Sequence, residues 1–326
     1  MTATTKKTTP VLSVVIPMRN EAANINALFK RLGAVFAGMD ETFEVICIND
    51  GSIDDTEQRL LEKMKTFSAL KVISLSRGFG KERALSAGLD HASGDAVVVL
   101  DADLQTPPEA IPEFIKKWRE GYDVVYGVRN HRPGESALRA YFSNLFYKLF
   151  NRVSDTHIPQ NSGDFRLMDR RVVDVICLLP ESNRFMKGLF AWVGFRQIGI
   201  HYDQSMRRAG NTKWNLWRLW NFALDGITGF STLPLRLWSY IGVTIAMAAI
   251  IYALYLIIKT IVLGIDVPGY ASLMVIVLFL GGIQLITLGV LGEYLGRMYR
   301  ETKRRPVYVV REQWGFEKGK NKQEPK

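Results

Sequence analysis

The sequence predicts an α/β domain on a parallel sheet, followed by a pair of transmembrane helices and a basic tail. Three observations predict it. From residue 11 to about 127, short runs rich in Val, Ile and Leu alternate with helical stretches, the order of parallel strands joined by crossover helices. Several of those runs end in polar loops, which such a sheet delivers to one edge. Two later stretches, 238–258 and 272–291, hold no charged residue, and each is long enough to cross a hydrocarbon layer of roughly 30 Å.

The elements follow in order. Residues 1–10 form a polar tail without the apolar core of a secretory signal, so the first domain, 11–235, is expected in the cytoplasm. Strands are expected over 11–16, 43–48, 70–75, 96–100 and 123–126, each apolar enough to be covered by helices on both sides. Helices fit between them at 22–36, 56–65, 81–92 and 109–120. Two helices of another kind close the domain. Near 136–152, Leu138, Tyr141, Phe142, Leu145 and Leu149 share one helical face, opposite Arg139, Ser143, Asn144 and Lys148. Near 214–230, Trp217, Trp220, Leu224 and Ile227 face away from Arg218, Asn221 and Asp225. A core-facing helix shows the same stripe, but the tryptophans and the apolar stretches that follow favour a membrane interface.

The two spans occupy 236–298. Their connection, 259–271, carries only Lys259 and Asp266 as charged residues, whereas Arg297, Arg300, Lys303, Arg304 and Arg305 crowd the far end. Both termini are therefore expected inside, with 299–326 as a basic cytoplasmic tail. Much of the chain's formal charge of +10 sits at that end, and its place after a membrane span points to a lipid surface and not to nucleic acid. Cys47 and Cys177 stand far apart in apolar surroundings and suit buried thiols better than a disulfide or a zinc site.

Chemistry concentrates where strands end. After the fourth strand come Asp101-Ala102-Asp103-Leu104-Gln105. Carboxylates spaced in this way supply a partial oxygen shell for Mg²⁺ or Mn²⁺, leaving positions open for diphosphate oxygens. An Asp-x-Asp alone is common in loops and caps. Here it has company: the first strand ends in Pro17-Met18-Arg19-Asn20-Glu21 and the second in Asn49-Asp50-Gly51-Ser52-Ile53-Asp54-Asp55. Asp50 is suited to accept from a base imide or to bind ribose, while Ser52 and Asp54 fit helix caps. Arg77, Gly78 and Lys81 follow the third strand as a basic loop in reach of a diphosphate.

These motifs resemble the family 2 inverting glycosyltransferases of the GT-A fold. Within them the sequence is most similar to the polyisoprenyl-phosphate branch, the dolichol-phosphate-mannose-synthase-like and bactoprenol glucosyltransferase proteins. The similarity extends through Asn161–Met168, Phe185-Met186-Lys187-Gly188, Arg207–Trp214 and Leu291–Arg297. It implies a nucleotide-sugar site at Pro17, Asn20, Glu21, Asp50, Arg77, Lys81, Asp101, Ala102 and Lys213, with a metal at Asp101, Asp103 and Gln105. Arg129, Arg139 and Ser143 match positions that grip a lipid phosphate. Arg207 and Lys213 match a loop that closes over the donor phosphates, and Asp164 a carboxylate near the reacting centre; Asp103, Asp164 and Arg207 are the implied catalytic set.

The resemblance also implies transfer of a hexose, glucose from UDP-glucose foremost, onto undecaprenyl phosphate at the inner face of a bacterial plasma membrane, for modification of a surface polysaccharide. Mannose, galactose or an amino-arabinose derivative would require only small changes in the pocket. A homo-oligomer is implied too, and Gly281, Gly282, Gly289 and Gly292 on the second span would permit close helix contact. A processive polysaccharide synthase would carry more spans and a Gln-x-x-Arg-Trp motif, which is missing here. A sugar-nucleotide-binding membrane protein without activity would be expected to have lost the acidic pair, which is intact.

Overall fold

The computed structural model describes residues 11–130, 159, 162–181, 184–203, 233–263 and 269–316. Its centre is an eight-stranded sheet in the order β7-β5-β6-β4-β1-β2-β3-β8. The first half follows the sequence closely: β1 (Leu12–Met18), α1 (Ile25–Phe36), β2 (Phe43–Asn49), α2 (Thr56–Met64), β3 (Leu70–Leu75), α3 (Lys81–His91) and β4 (Ala96–Val99). The strands β4, β1, β2 and β3 pair in parallel. Helix α4 (Ile111–Arg119), entered through a short 3₁₀ turn at Pro108–Ala110, leads to β5 (Val124–Arg129).

The sheet is mixed where the sequence predicts parallel strands throughout. Strand β6 (Ser162–Asp169) inserts between β4 and β5, antiparallel to both. It is followed by α5 (Arg170–Leu178), α6 (Met186–Trp192) and β7 (Gln197–Tyr202), which pairs in parallel with β5. On β6 the side chains alternate. Phe165 and Leu167 enter the core beneath α1 and α4, while Met168 enters the core beneath α3, α5 and α6. Asp164 and Arg166 share the face of Met168, so charged groups are carried into the second layer by strand geometry alone.

Two long helices follow, α7 (Leu233–Leu263) and α8 (Tyr270–Thr302), covering both predicted spans. The stretch Phe279–Thr302 is long and apolar enough to cross a membrane. Large apolar side chains lie open on both helices, with Ile261 79% and Leu285 72% exposed, an arrangement that water does not favour.

The tail departs from expectation. Instead of serving wholly as a basic surface segment, it returns to the sheet as β8 (Val310–Trp314), antiparallel to β3. Tyr308, Val310 and Phe316 pack on one layer and Trp314 on the other, so the strand is held by burial as well as by its ladder. Arg311 donates to Glu57 and to Ser74, and Tyr308 donates to Asp90 at 2.9 Å. The predicted interfacial helices near 136–152 and 214–230 lie outside the described residues, as do 317–326 of the tail.

Candidate active site

The carboxyl ends of β1, β2, β3 and β4 open on one edge of the sheet, and three loops there are tied together by side-chain bonds. Asn20 N–H donates to Ser52 Oγ at 3.0 Å, and Ile53 N–H donates to Asn20 Oδ1 at 2.9 Å. Glu21 N–H donates to Thr56 Oγ1, and Glu21 Oε2 accepts from Asn24 at 2.6 Å. Neither Ser52 nor Asp54 caps α2 as expected. The capping position falls to Asp55, whose side chain makes no capping bond, while Asp54 accepts from Thr56 N–H at 3.1 Å in the turn before the helix and Ser52 joins the first loop to the second. Pro17 is buried in β1. Leu12 N–H points to the β2 side and Val15 O accepts from Leu100 on the β4 side, so by alternation the missing N–H of Pro17 faces β4, beyond the end of that ladder.

Asp50 organises the third loop. Its carboxylate is 2% exposed and accepts from Phe79 N–H at 2.6 Å and Gly80 N–H at 3.0 Å. Burial pushes its pKa up, with these two bonds and Arg19 acting against that rise. Gly51 has φ +58° and lies so close to the next loop that an added Cβ would sit 2.4 Å from Gly78 N, which only glycine tolerates. Arg19 Nη1 stands 3.9 Å from Asp50. Arg77 is exposed and stacks its guanidinium 4.7 Å from the Phe79 ring.

The clamp on residues 79–80 fixes where α3 begins, and its first residue is Lys81. The Lys81 ammonium lies 2.6 Å from Asp101 Oδ1 and 2.5 Å from Asp164 Oδ2. The meeting follows from register. In the antiparallel β4–β6 pair Val99 faces Arg166, and two further steps set Asp101 opposite Asp164. Asp164 is 8% exposed, and its Oδ1 has no hydrogen-bond partner among the described residues. Burial works against its charge, but Lys81 and Lys187 outweigh that and hold its pKa below the usual carboxylate range. Glu82 is pushed up to about 7 by burial and by the Asp164 charge, against Lys81 and Lys187.

Asp103 Oδ1 accepts from Gln105 N–H at 3.1 Å, across Leu104 at φ +63°, a left-handed turn that a non-glycine residue adopts at a cost. Ala102 is buried beneath the pair. Arg129 donates to Tyr202 Oη at 3.1 Å and passes over Gly163, where an added Cβ would lie 3.0 Å from its Nη2. Arg166, 4% exposed, donates to Gly163 O and stacks 3.8 Å from the Phe190 ring.

The site thus gathers Asp101, Asp164, Lys81 and Arg129, with Asp50, Asn20 and Glu21 shaping the loops beside them. Arg139, Ser143, Arg207 and Lys213 lie outside the described residues. Sequence reasoning did not single out Arg19, Glu82, Arg166, Lys187 or Tyr202 for the site. The alternation Ser162, Asp164, Arg166 along β6 was the available signal for Arg166.

A divalent cation fits this chemistry in part. Among the described residues no three Asp, Glu, His or Cys side chains converge as a metal cage. Asp101 and Asp164 nevertheless already share one cation, the Lys81 ammonium, so the edge is built to hold positive charge. A metal there would take Asp101, Asp103 and Gln105 as an incomplete oxygen shell, to be finished by phosphate oxygens.

Residues 13–177 match Glycosyl transferase family 2, and residues 233–298 match the GtrB C-terminal hairpin. An uncharacterized glycosyltransferase of Synechocystis sp. is 56% identical over 94% of this chain and 96% of its own length. A prophage bactoprenol glucosyl transferase homolog of Escherichia coli K12 is 48% identical over 92% of this chain and 98% of its own. A solved Mycobacterium tuberculosis glucosyl-3-phosphoglycerate synthase with Mn²⁺, UDP-glucose and phosphoglyceric acid aligns at TM-score 0.45 and 22% identity, over 67% of this chain and 78% of that one. The chain belongs to glycosyl transferase family 2, and its fold is the GT-A fold.

Proposed function

We propose that this protein transfers glucose from UDP-glucose onto undecaprenyl phosphate, inverting the anomeric carbon, at the cytoplasmic face of a bacterial inner membrane. The observation that carries the reading is the pairing of Asp101 with Asp164 around Lys81, in a chain 48% identical over 92% of its length to a bactoprenol glucosyl transferase homolog.

The donor nucleoside lies against the loops of Pro17–Glu21 and Asp50, and its diphosphate meets Asp101, Asp103, Gln105, Arg77 and Lys81. Mg²⁺ or Mn²⁺ bound at Asp101, Asp103 and Gln105 supplies positive charge beside the diphosphate. Arg207 and Lys213 close over the same phosphates. Arg129, with Arg139 and Ser143, holds the acceptor phosphate.

An oxygen of the acceptor phosphate forms the new bond to the sugar's C1 as the C1–O bond to UDP breaks, and the electron pair leaves with UDP. No proton has to be removed first, because a phosphomonoester with a second pKa of about 6 arrives largely ionised. Asp164 therefore orients Lys81 and the reacting groups and is not a general base.

The helices α7 and α8 cross the bilayer as a pair, with both termini inside, and the aromatic stretches near 136–152 and 214–230 contact the membrane interface. The assembled enzyme is a homo-oligomer.

Purified protein in detergent, given undecaprenyl phosphate, Mg²⁺ or Mn²⁺ and a panel of nucleotide-sugars, tests the reading. A lipid-linked hexose from UDP-glucose, of inverted anomeric configuration by NMR, is expected. Product from another donor alone would replace the sugar, and a retained configuration would overturn the mechanism.

A further inference from the structure

Lys81 occupies the place where a cation is needed. We propose that it is a resident counter-ion, which a divalent metal has to displace from Asp101, so that metal and nucleotide diphosphate bind cooperatively and metal alone binds poorly. The inference rests on the metal reading of Asp101 and Asp103 given above and extends it to the order in which the site fills.

Three observations carry it. One ammonium lies 2.6 Å from Asp101 and 2.5 Å from Asp164, so the carboxylate that a metal needs is already compensated by a charge of the protein's own. The backbone that carries Lys81 is fixed, because Asp50 holds Phe79 N–H and Gly80 N–H, yet the side chain is 43% exposed. Rotation about its own side-chain bonds can thus carry the head group from Asp101 to a nearby anion while α3 stays in place. Finally, the described residues offer a metal no third Asp, Glu, His or Cys ligand.

A diphosphate removes both obstacles at once. It gives Lys81 a new anionic partner, which frees Asp101, and it gives the metal the oxygens that the protein does not provide. Asp164, 8% exposed and with Oδ1 unpartnered, keeps one carboxylate behind to hold the ammonium within reach of both positions. By linkage, whatever UDP does for metal affinity, metal does equally for UDP affinity.

The test is Mn²⁺ binding by electron paramagnetic resonance on the full chain in detergent, with and without UDP, for wild type, Lys81→Met, Lys81→Arg and Asp103→Ala. UDP is expected to tighten Mn²⁺ binding to wild type by about tenfold or more. Without UDP, Lys81→Met is expected to bind Mn²⁺ about tenfold more tightly than wild type, since removing a cation at this range leaves the carboxylates uncompensated. Lys81→Arg, which keeps the charge, should stay with wild type. If Lys81→Met binds Mn²⁺ alone no more tightly than wild type, while Asp103→Ala abolishes binding, the counter-ion role is wrong and the metal site stands. If wild type binds no Mn²⁺ even with UDP, or Asp103→Ala binds it unchanged, the metal reading falls and takes this inference with it.

Discussion

Asp164 shows how little of a residue's part can be read from its type. A carboxylate beside a reacting centre invites the role of base, yet here Lys81 and Lys187 keep it ionised and Lys81 holds one of its oxygens. Asp164→Asn is expected to lower turnover by about 10²-fold or more, through misplaced Lys81, while UDP binding by calorimetry persists. Activity should not return at raised pH; rescue there would identify a true base. Gly163→Ala probes the neighbouring cation, because its Cβ would press on the Arg129 guanidinium. A raised KM for the lipid with an unchanged KM for the donor is expected.

At the opposite end of the sheet Glu44 is a residue of stability alone. It is 3% exposed and accepts from Ser13, Ser93 and Lys71, which outweigh the desolvation that would raise its pKa and hold it lowered. A lowered folded pKa contributes stability above the unfolded value of 4.5, and that stability is lost as pH falls through the folded value. Glu44→Ala is expected to cost about 3 kcal/mol near neutral pH by breaking a buried pair. The difference in melting temperature between wild type and variant should narrow on going from about pH 6 to about pH 3; a constant difference would show that Glu44 acts by packing and not by charge.

Among the elements, β1 to β4 and their helices were legible because buried parallel strands are continuous apolar runs. Strand β6 was not, for a physical reason: Ser-Gly-Asp-Phe-Arg-Leu-Met-Asp carries Asp164 and Arg166 on the face of Met168 and only Phe165 and Leu167 as core on the other, so its buried charges make it read as polar loop. Its insertion between β4 and β5 brings Asp164 to Asp101, and no local pattern discloses a partner more than sixty residues away. The tail was likewise read from its charge, although Tyr308, Val310, Trp314 and Phe316 were present to be buried. Without β8 the β3 edge would be bare. Truncation after Arg305 should lower the melting temperature by roughly 5 °C or more and promote aggregation; an unchanged melt would mean that the strand contributes nothing to the fold.

For the molecule as a whole, charge asymmetry and apolar length foretold two helices after the catalytic domain, and the chain places helices over both stretches. If they cross as a pair with both termini inside, a cysteine introduced at Asp266 in a chain lacking Cys47 and Cys177 should label from outside intact spheroplasts, and one at Arg305 only after lysis. The donor sugar is the feature that sequence and fold determine least, since one hydroxyl epimer changes few contacts. The most direct measurement is therefore transfer itself: radiolabel from UDP-glucose carried into the organic phase by undecaprenyl phosphate, for wild type beside Asp103→Ala. The account predicts labelled lipid from wild type and at least about 10²-fold less from the variant. No labelled lipid from wild type, with UDP binding intact, would contradict it.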